Sequence, residues 1–510
     1  MNTLKKNFKQ AATCIALACF ALTACNKNEG ENMETPGVPG PDLVFYGLAE
    51  DNKIVRYNAK NAAIPEKTID LTNVPVGEKM LSIDFRPATG QLYALGASSR
   101  LYFINLTSGN VTALGTASFT PALTGTIANL DFNPTVDRVR VVTNAGQNLR
   151  LNPETGTVAF TDGNINGGTS PSITSIAYTN SIAGATTTEL FDIEVSSKKL
   201  YKQMPPNDGT LVEVGTINVD FTGKGGFDIS PDNSAALATF TVKGVNKLYL
   251  LNTTTANATY LSKLSEKIID IAIPTNPVAY AVCDDSRFQI FDPTKSNSSI
   301  NKAITGVGVG ESIVGLDFRP ANGQLYGVAL TALGTARLYT FNLSSGAAAP
   351  VGTGFSVNVA TTAVGFDFNP TVDRIRMVTN IGQNLRLNPI DGTIAATDGN
   401  LNPGSPAISG AAYTNNFAGS TTTSLFVLDM GKLYKQDPPN NGTLIEIGSL
   451  GVTASAQNGF DIGGTSNMGY ALFTVGSSTK VYTINTTTGA ATATVDFPIG
   501  VKAMAVGLGF

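Results

Sequence analysis

The chain has 510 residues and carries 34 Lys and Arg against 38 Asp and Glu, so its formal net charge is −4. No cluster of basic residues stands out, which argues against nucleic acid as a partner. The absence of histidine excludes Ser-His-Asp and Cys-His catalysis and any metal site that depends on an imidazole.

Residues 1–24 have the pattern of a bacterial lipoprotein signal peptide. A lysine-containing start is followed by an apolar run, residues 11–22, that is too short to span a bilayer. The run ends in Leu-Thr-Ala-Cys, which resembles a lipobox and implies that Cys25 is acylated after cleavage in front of it. The alternative is an ordinary secretory signal that is cleaved at an alanine-rich site.

Residues 25–42 are polar and rich in Gly and Pro, so they predict a flexible tether. The residue after the cysteine is Asn26 rather than Asp, which resembles the outer-membrane sorting rule of enteric bacteria. We therefore predict an outer membrane lipoprotein that faces the periplasm or the cell surface. Its membrane partner would be reached through the lipid on Cys25 and not through a spanning helix.

The rest of the chain is a tandem duplication. Residues 83–93 return almost unchanged as residues 316–326, and Asp-Phe-Asn-Pro-Thr-Val-Asp-Arg occurs at both 131–138 and 367–374. A repeat this plain predicts two similar domains. We place them at residues 43–277 and 278–510.

Within each half, a weaker unit recurs about every 40 to 50 residues, near the usual length of a propeller blade. Each unit contains four short runs of alternating apolar residues that are separated by Gly, Asn and Pro turns, which predicts four antiparallel strands. Residues 268–273 and 503–508 look like strands that return to complete the first unit of their own half, leaving no open sheet edge. The sequence therefore predicts an all-β chain of two tandem five-bladed β-propellers, with one ten-bladed ring as the alternative.

Aspartate recurs at one place in the first strand of most units. A ring of carboxylates is suited to holding a cation or to acid–base chemistry. A structural aspartate that accepts N–H bonds from the turn that follows it would also recur in this way. Because catalysis needs differentiated residues, the repetition favours the structural interpretation, and we predict no metal, no cofactor and no catalytic residue. The recurring residues are Asp84, Asp131, Asp228, Asp270, Asp317, Asp367 and Asp461.

The most polar and most closely repeated segment is residues 367–389, whose twin is residues 131–153. Two of its arginines lie two residues apart on one strand and share a face, and a third on the next strand can join them. Guanidiniums beside carboxylates predict either an internal ion-pair ladder, which we favour, or a pocket for an anionic ligand. The candidate binding residues are Asp131, Asp137, Arg138, Arg140 and Arg150 in the first half and Asp367, Asp373, Arg374, Arg376 and Arg386 in the second.

A shorter motif, Thr-Asp-Gly-Asn, follows this segment at 161–164 and again at 397–400. It lacks the Asp-x-Asp-x-Asp-Gly spacing that supplies enough oxygen ligands for calcium. It therefore predicts a hairpin turn in each half rather than a calcium site.

These motifs resemble an uncharacterised bacterial family of domains of unknown function, over residues 43–510. The resemblance rests on Asp-Phe-Asn-Pro-x-x-Asp-Arg, Gly-Gln-Asn-Leu-Arg-Leu-Asn-Pro and Thr-Asp-Gly-Asn. It implies a secreted or surface propeller-like module and brings no activity or substrate with it. We expect a non-catalytic binding or scaffolding module with a protein or glycan partner. The alternative is a polysaccharide hydrolase or lyase that uses Asp and Glu carboxylates.

Overall fold

The computed structural model describes residues 37–168, 171–295 and 299–510. The predicted signal peptide and Cys25 lie outside the described residues. Within these ranges, no helix has the length and apolar composition that a membrane crossing requires. The helices of the described chain are single 3-10 turns, at Ala59–Asn61, Pro206–Asp208 and Pro439–Asn441.

The described residues form ten four-stranded antiparallel sheets, which confirms the all-β prediction. The strands are short, rich in β-branched and aromatic residues, and separated by turn-forming Gly, Asn and Asp. The strands of the first half are β1 Val44–Ala49, β2 Lys53–Asn58, β3 Lys67–Asp70, β4 Met80–Phe85, β5 Leu92–Gly96, β6 Arg100–Ile104, β7 Val111–Ala113, β8 Ala128–Asn133, β9 Arg138–Thr143, β10 Asn148–Leu151, β11 Val158–Thr161, β12 Ile173–Tyr178, β13 Leu190–Glu194, β14 Lys199–Gln203, β15 Leu211–Thr216, β16 Phe227–Ile229, β17 Ala236–Val242, β18 Val245–Leu251, β19 Ala258–Lys263 and β20 Ile268–Ala272.

The second half repeats this series. Its strands are β21 Ala279–Cys283, β22 Arg287–Phe291, β23 Ile300–Ala303, β24 Glu311–Arg319, β25 Gln324–Thr331, β26 Thr335–Phe341, β27 Ala348–Ser356, β28 Val364–Asn369, β29 Arg374–Thr379, β30 Asn384–Leu387, β31 Ile394–Thr397, β32 Gly410–Tyr413, β33 Leu425–Leu428, β34 Lys432–Gln436, β35 Leu444–Ser449, β36 Gly459–Ile462, β37 Gly469–Val475, β38 Ser478–Ile484, β39 Ala491–Phe497 and β40 Val501–Val506.

Each half closes on itself, as the sequence predicts. Strand β20 pairs with β1 at the start of the first half, and β40 pairs with β21 at the start of the second. The innermost strands contact one another in the circuit β20, β4, β8, β12, β16 and back to β20. Those of the second half follow the circuit β40, β24, β28, β32, β36 and back to β40. The chain is thus two tandem propeller-like domains, and the apolar faces of neighbouring sheets form their cores.

The two halves also contact each other through equivalent loops. In the second half, Ala418 is buried in the apolar cluster that contains Phe103 of the first half. In the first half, Ala183 packs against the cluster that contains Ile290 and Phe341 of the second half. These reciprocal contacts leave a cleft beside each loop.

Candidate functional site

The recurring aspartates of the innermost strands connect neighbouring sheets. Asp84, for example, accepts the N–H of Phe85 at 2.7 Å with one oxygen and the N–H of Phe132 on β8 at 2.8 Å with the other. Every recurring aspartate likewise accepts a backbone N–H from the neighbouring sheet. The pairs are Asp84–Phe132, Asp131–Tyr178, Asp228–Ile273, Asp270–Ile83, Asp317–Phe368, Asp367–Tyr413 and Asp461–Val506.

This geometry corrects one detail of the sequence prediction. The acceptor role is as predicted, but the donors are not in the turn that follows the aspartate. They lie in the same strand and in the innermost strand of the next sheet, because the side chain points around the ring and the turn begins beyond the strand end. Alanine takes the equivalent place at Ala177, Ala412 and Ala503.

Three of these carboxyls converge in each half. The groups are Asp84, Asp131 and Asp228 in the first half and Asp317, Asp367 and Asp461 in the second. Within each group, one oxygen from every residue lies within 4.8 Å of the others, and all six side chains are buried. Burial, together with the neighbouring carboxyls, raises the pKa of Asp84, Asp131, Asp317 and Asp367 well above the ordinary value.

The first half adds a half-buried lysine beside the Asp270 carboxyl. Lys224 Nζ donates to the carbonyls of Leu81 and of Ala128, the latter at 3.1 Å. Burial lowers the pKa of Lys224 to about 8, against the opposing effect of the Asp270 carboxylate. Asp270 also accepts a hydrogen bond from Ser82 Oγ, and burial raises its pKa to about 6.

The second half has none of the three residues Lys224, Asp270 and Ser82 at the twin positions. Gln457, Ala503 and Gly315 stand where the first half has Lys224, Asp270 and Ser82. A Cβ at position 315 would meet the Phe366 Cβ at 2.6 Å, so the innermost strands approach too closely there for a serine. The copies therefore share the three-carboxyl cluster and differ in what surrounds it.

The repeated arginine segment forms an internal network. Arg140 donates to Asn148 Oδ1 at 2.8 Å, to Asn207 Oδ1 at 2.7 Å and to Asp162 Oδ2 at 2.5 Å. Arg150 donates to both oxygens of the same Asp162, at 2.7 and 2.8 Å. Two guanidiniums thus share one carboxylate. Burial alone would raise the pKa of Asp162, but the hydrogen bonds and positive charges of the two arginines lower it.

The second half reproduces this network. Arg376 donates to Asn384, Asn440 and Asp398, and Arg386 donates to both oxygens of Asp398. Asp162 and Asp398 belong to the Thr-Asp-Gly-Asn motifs, so these motifs supply the counter-ions of the arginines. Sequence reasoning missed this role because the motif also has the composition of a turn, and the only available signal was its repetition beside the arginines.

The remaining candidate residues lie elsewhere. Asp137 pairs with the buried Arg86, and its twin Asp373 pairs with Arg319. Arg138 and Arg374 each donate to the carbonyl of the preceding aspartate, at 2.8 and 2.9 Å. Asp131 and Asp367 belong to the carboxyl clusters and do not bond the arginines in the described structure. The ten candidates are therefore divided among three separate sets of contacts.

A cleft of about 300 Å³ lies where the two halves meet. The residues that line it include the aromatic rings of Tyr46, Phe103 and Phe417 and the amides and hydroxyls of Gln91, Asn105, Asn110, Thr107, Thr112, Thr465 and Ser466. Among the described residues that line it, none carries a charge. A smaller cleft of about 110 Å³ lies beside the equivalent loop of the first half, but apart from that loop it is lined mostly by other positions of the repeat, such as Ile290 and Ile300.

The larger cleft is specific to one side of the duplication. Phe417 belongs to the loop Asn-Asn-Phe-Ala-Gly, and its twin in Asn-Ser-Ile-Ala-Gly is Ile182. Phe103 has Thr340 as its twin. Phe103 of the first half and Phe417 of the second thus stand at positions where the two copies differ.

Solved structures with a likeness to the chain are distant. PorZ of Porphyromonas gingivalis, described as an essential bacterial surface component of the type-IX secretion system, is 14% identical with a TM-score of 0.23; the match covers 88% of this chain and 65% of that one. The Dos1 propeller is 12% identical with a TM-score of 0.27, covering 67% of this chain and 92% of that one. Likenesses with TM-scores this low support no inference about function.

Sequence comparison is more specific. No curated protein matches the chain. The family described as Domain of unknown function (DUF4394) matches residues 53–272 and again residues 287–507. The two matches cover most of both halves, and they agree with the family resemblance of the repeated motifs. The chain therefore belongs to this family of domains of unknown function.

Proposed function

We propose that the protein is a non-catalytic binding module whose ligand is an uncharged glycan, held in the cleft between the two halves. The observation that carries this proposal is the lining of the cleft. Aromatic rings stack on the apolar faces of sugar rings, and amides and hydroxyls match sugar hydroxyls as donors and acceptors. A lining without charge favours a neutral ligand over an anionic one.

The shape of the cleft supports the same proposal. Its volume lies at the lower end of the range for small-ligand sites, which often form between domains. Phe417 is half-buried on a loop of the second half, and Phe103 is buried on β6 of the first. A ligand that contacts both rings would bridge the halves, and its affinity would depend on their mutual arrangement.

The geometry counts against the hydrolase or lyase alternative. Such an enzyme needs carboxyls that reach a substrate. The converging aspartates are buried, and their oxygens accept backbone N–H groups of neighbouring strands. No Asp or Glu is among the described residues that line the cleft.

The proposal includes the architecture and the cellular location. Five sheets in each contact circuit support two five-bladed rings over a single ten-bladed ring. We further propose that lipid on Cys25 holds the chain at the outer membrane, with the tether leaving both rings free to meet the glycan. A Cys25→Ser variant should lose incorporation of labelled fatty acid and leave the membrane fraction; retention of the label would contradict this part.

The glycan proposal is tested with an array of neutral and anionic envelope glycans, followed by calorimetric titration of each hit. Phe417→Ala should weaken binding of a neutral hit by about fivefold or more, because stacking on one ring contributes about 1 kcal/mol or more. The matched control is Ile182→Ala, which truncates the equivalent loop and should leave the affinity unchanged. Binding of anionic glycans alone, or equal losses in both variants, would refute the proposal, and a protein captured in place of any glycan would replace it.

A further inference from the structure

The second half contains a cluster of oxygen atoms for which the glycan proposal has no use. We propose that Asp317, Asp367 and Asp461 bind a calcium ion, with Asn416 as a fourth protein ligand. Calcium is a hard cation that takes carboxylate and amide oxygens.

The spacing of the three carboxyls suits this ion. One oxygen from each lies within 4.8 Å of the other two. Two oxygens bound to one calcium ion lie at most about 5.2 Å apart, on opposite sides of the ion. The three carboxyls can therefore contact one calcium ion together.

Two oxygens at the cluster accept no hydrogen bond from an N–H or hydroxyl group. Asp367 uses Oδ1 to accept the N–H of Tyr413, and its Oδ2 is buried and unpartnered. Asn416 is 1% exposed, and its side chain hydrogen-bonds the Asp317 carboxyl. Since the amide N–H₂ is the donor in that bond, Asn416 Oδ1 remains, and it too is buried without a partner. An unpartnered buried oxygen is costly in free energy, and a cation would satisfy both.

The first half provides an internal comparison. Its cluster of Asp84, Asp131 and Asp228 also has one oxygen of each residue within 4.8 Å of the others, but Ser181 replaces Asn416 and donates to the carbonyl of Tyr178 at 3.4 Å. The Lys224 ammonium also interacts with Asp270, which neighbours this cluster, whereas Gln457 and Ala503 stand at the twin positions in the second half. The second half should therefore hold the ion, with one calcium for each chain.

The site can be occupied by protons in place of a metal. Without a metal, Asp367 and Asp461 lie close enough for their carboxyls to share a proton, which would then take the place of the cation. The two possibilities differ in one measurable property, because only a metal site binds calcium with a fixed stoichiometry.

The experiment uses the full chain, unfolded and refolded with chelator so that a buried ion is removed, and then refolded with calcium. Bound metal is counted by mass spectrometry after dialysis, and the melting temperature is compared with and without calcium. We expect one calcium per chain and a higher melting temperature in its presence. No bound calcium at millimolar concentration would overturn the proposal in favour of shared protons.

Three variants place the ion. Asp367→Asn keeps an acceptor for the Tyr413 N–H and removes the free carboxylate oxygen, so it should fold and lose the metal. Asn416→Ser, the residue at the twin position 181, should weaken calcium binding by tenfold or more and remains informative if the first variant fails to fold. Asp131→Asn is the matched control in the first half and should retain one calcium. Unchanged binding in Asn416→Ser, or loss of the ion in Asp131→Asn, would place the ion elsewhere.

Discussion

Removal of the Arg86 guanidinium should destabilise the chain far more than removal of its twin, Arg319. The Arg86 side chain is fully buried and pairs with both oxygens of Asp137, with Nε 2.8 Å from Oδ1. It also donates to Glu154 at 3.0 Å and to the carbonyl of Gly323, in the other half, at 3.0 Å. Arg86 therefore joins two carboxylates of its own half to the backbone of the second.

The magnitude follows from what each substitution leaves behind. In Arg86→Ala, the carboxylates of Asp137 and Glu154, 7% and 13% exposed, lose their counter-ion. Loss of one partner of a buried ion pair costs about 3–5 kcal/mol. In Arg319→Ala, the remaining carboxylate of Asp373 is 36% exposed, so water solvates it and the cost is about 1 kcal/mol or less.

The assay is equilibrium unfolding in urea, followed by circular dichroism at pH 7. The free energy of unfolding of Arg86→Ala should fall below that of Arg319→Ala by about 2 kcal/mol or more. An Arg86→Met variant retains much of the packing volume and separates lost charge pairing from lost contact. Equal losses in the Arg86 and Arg319 variants would refute the reasoning, because the two substitutions differ chiefly in the burial of the carboxylates left behind.

Two further predictions use differences between the copies. Asp192→Val, which introduces the residue found at the twin position 427, should stabilise the chain more at pH 8 than at pH 4.5 in urea unfolding. Burial raises the pKa of Asp192 from 3.8 to about 8, although the positive charge of Arg140 acts in the opposite direction. The wild type therefore loses stability as the pH rises from about 4 to about 8. An equal gain in stability at both pH values would contradict this. In a double-mutant cycle, Lys224→Gln and Asp270→Ala together should cost about 1–3 kcal/mol less than the sum of the two single losses, since each single variant leaves one buried charge without the other. Strict additivity would mean that the two charges do not interact.

Local patterns in the sequence predict much of the fold. Alternating apolar residues and turn chemistry define the strands, and the duplication predicts the tandem arrangement. The return of residues 268–273 to the first sheet was also predictable, because the first unit lacks an opening strand. The arginines of the repeated segment share a face, as the two-residue period of a strand requires.

The sequence does not predict the contacts between distant sheets. Asp84 accepts the N–H of Phe132, 48 residues away, and no local pattern identifies that donor. The cleft joins Phe103 to Phe417 only because the two halves contact each other, and the repeat describes each half alone. The available signal was that the two copies differ at these positions, where Phe103 has Thr340 as its twin and Phe417 has Ile182.

The proposal of a glycan site in the cleft is tested most directly by hydrogen exchange of the full chain with and without its bound neutral glycan. The account predicts added protection in residues 103–112 of the first half and in residues 415–420 of the second, because both segments line the cleft. Protection confined to one half, or protection that leaves both segments unchanged, would contradict the placement of the ligand between the two halves.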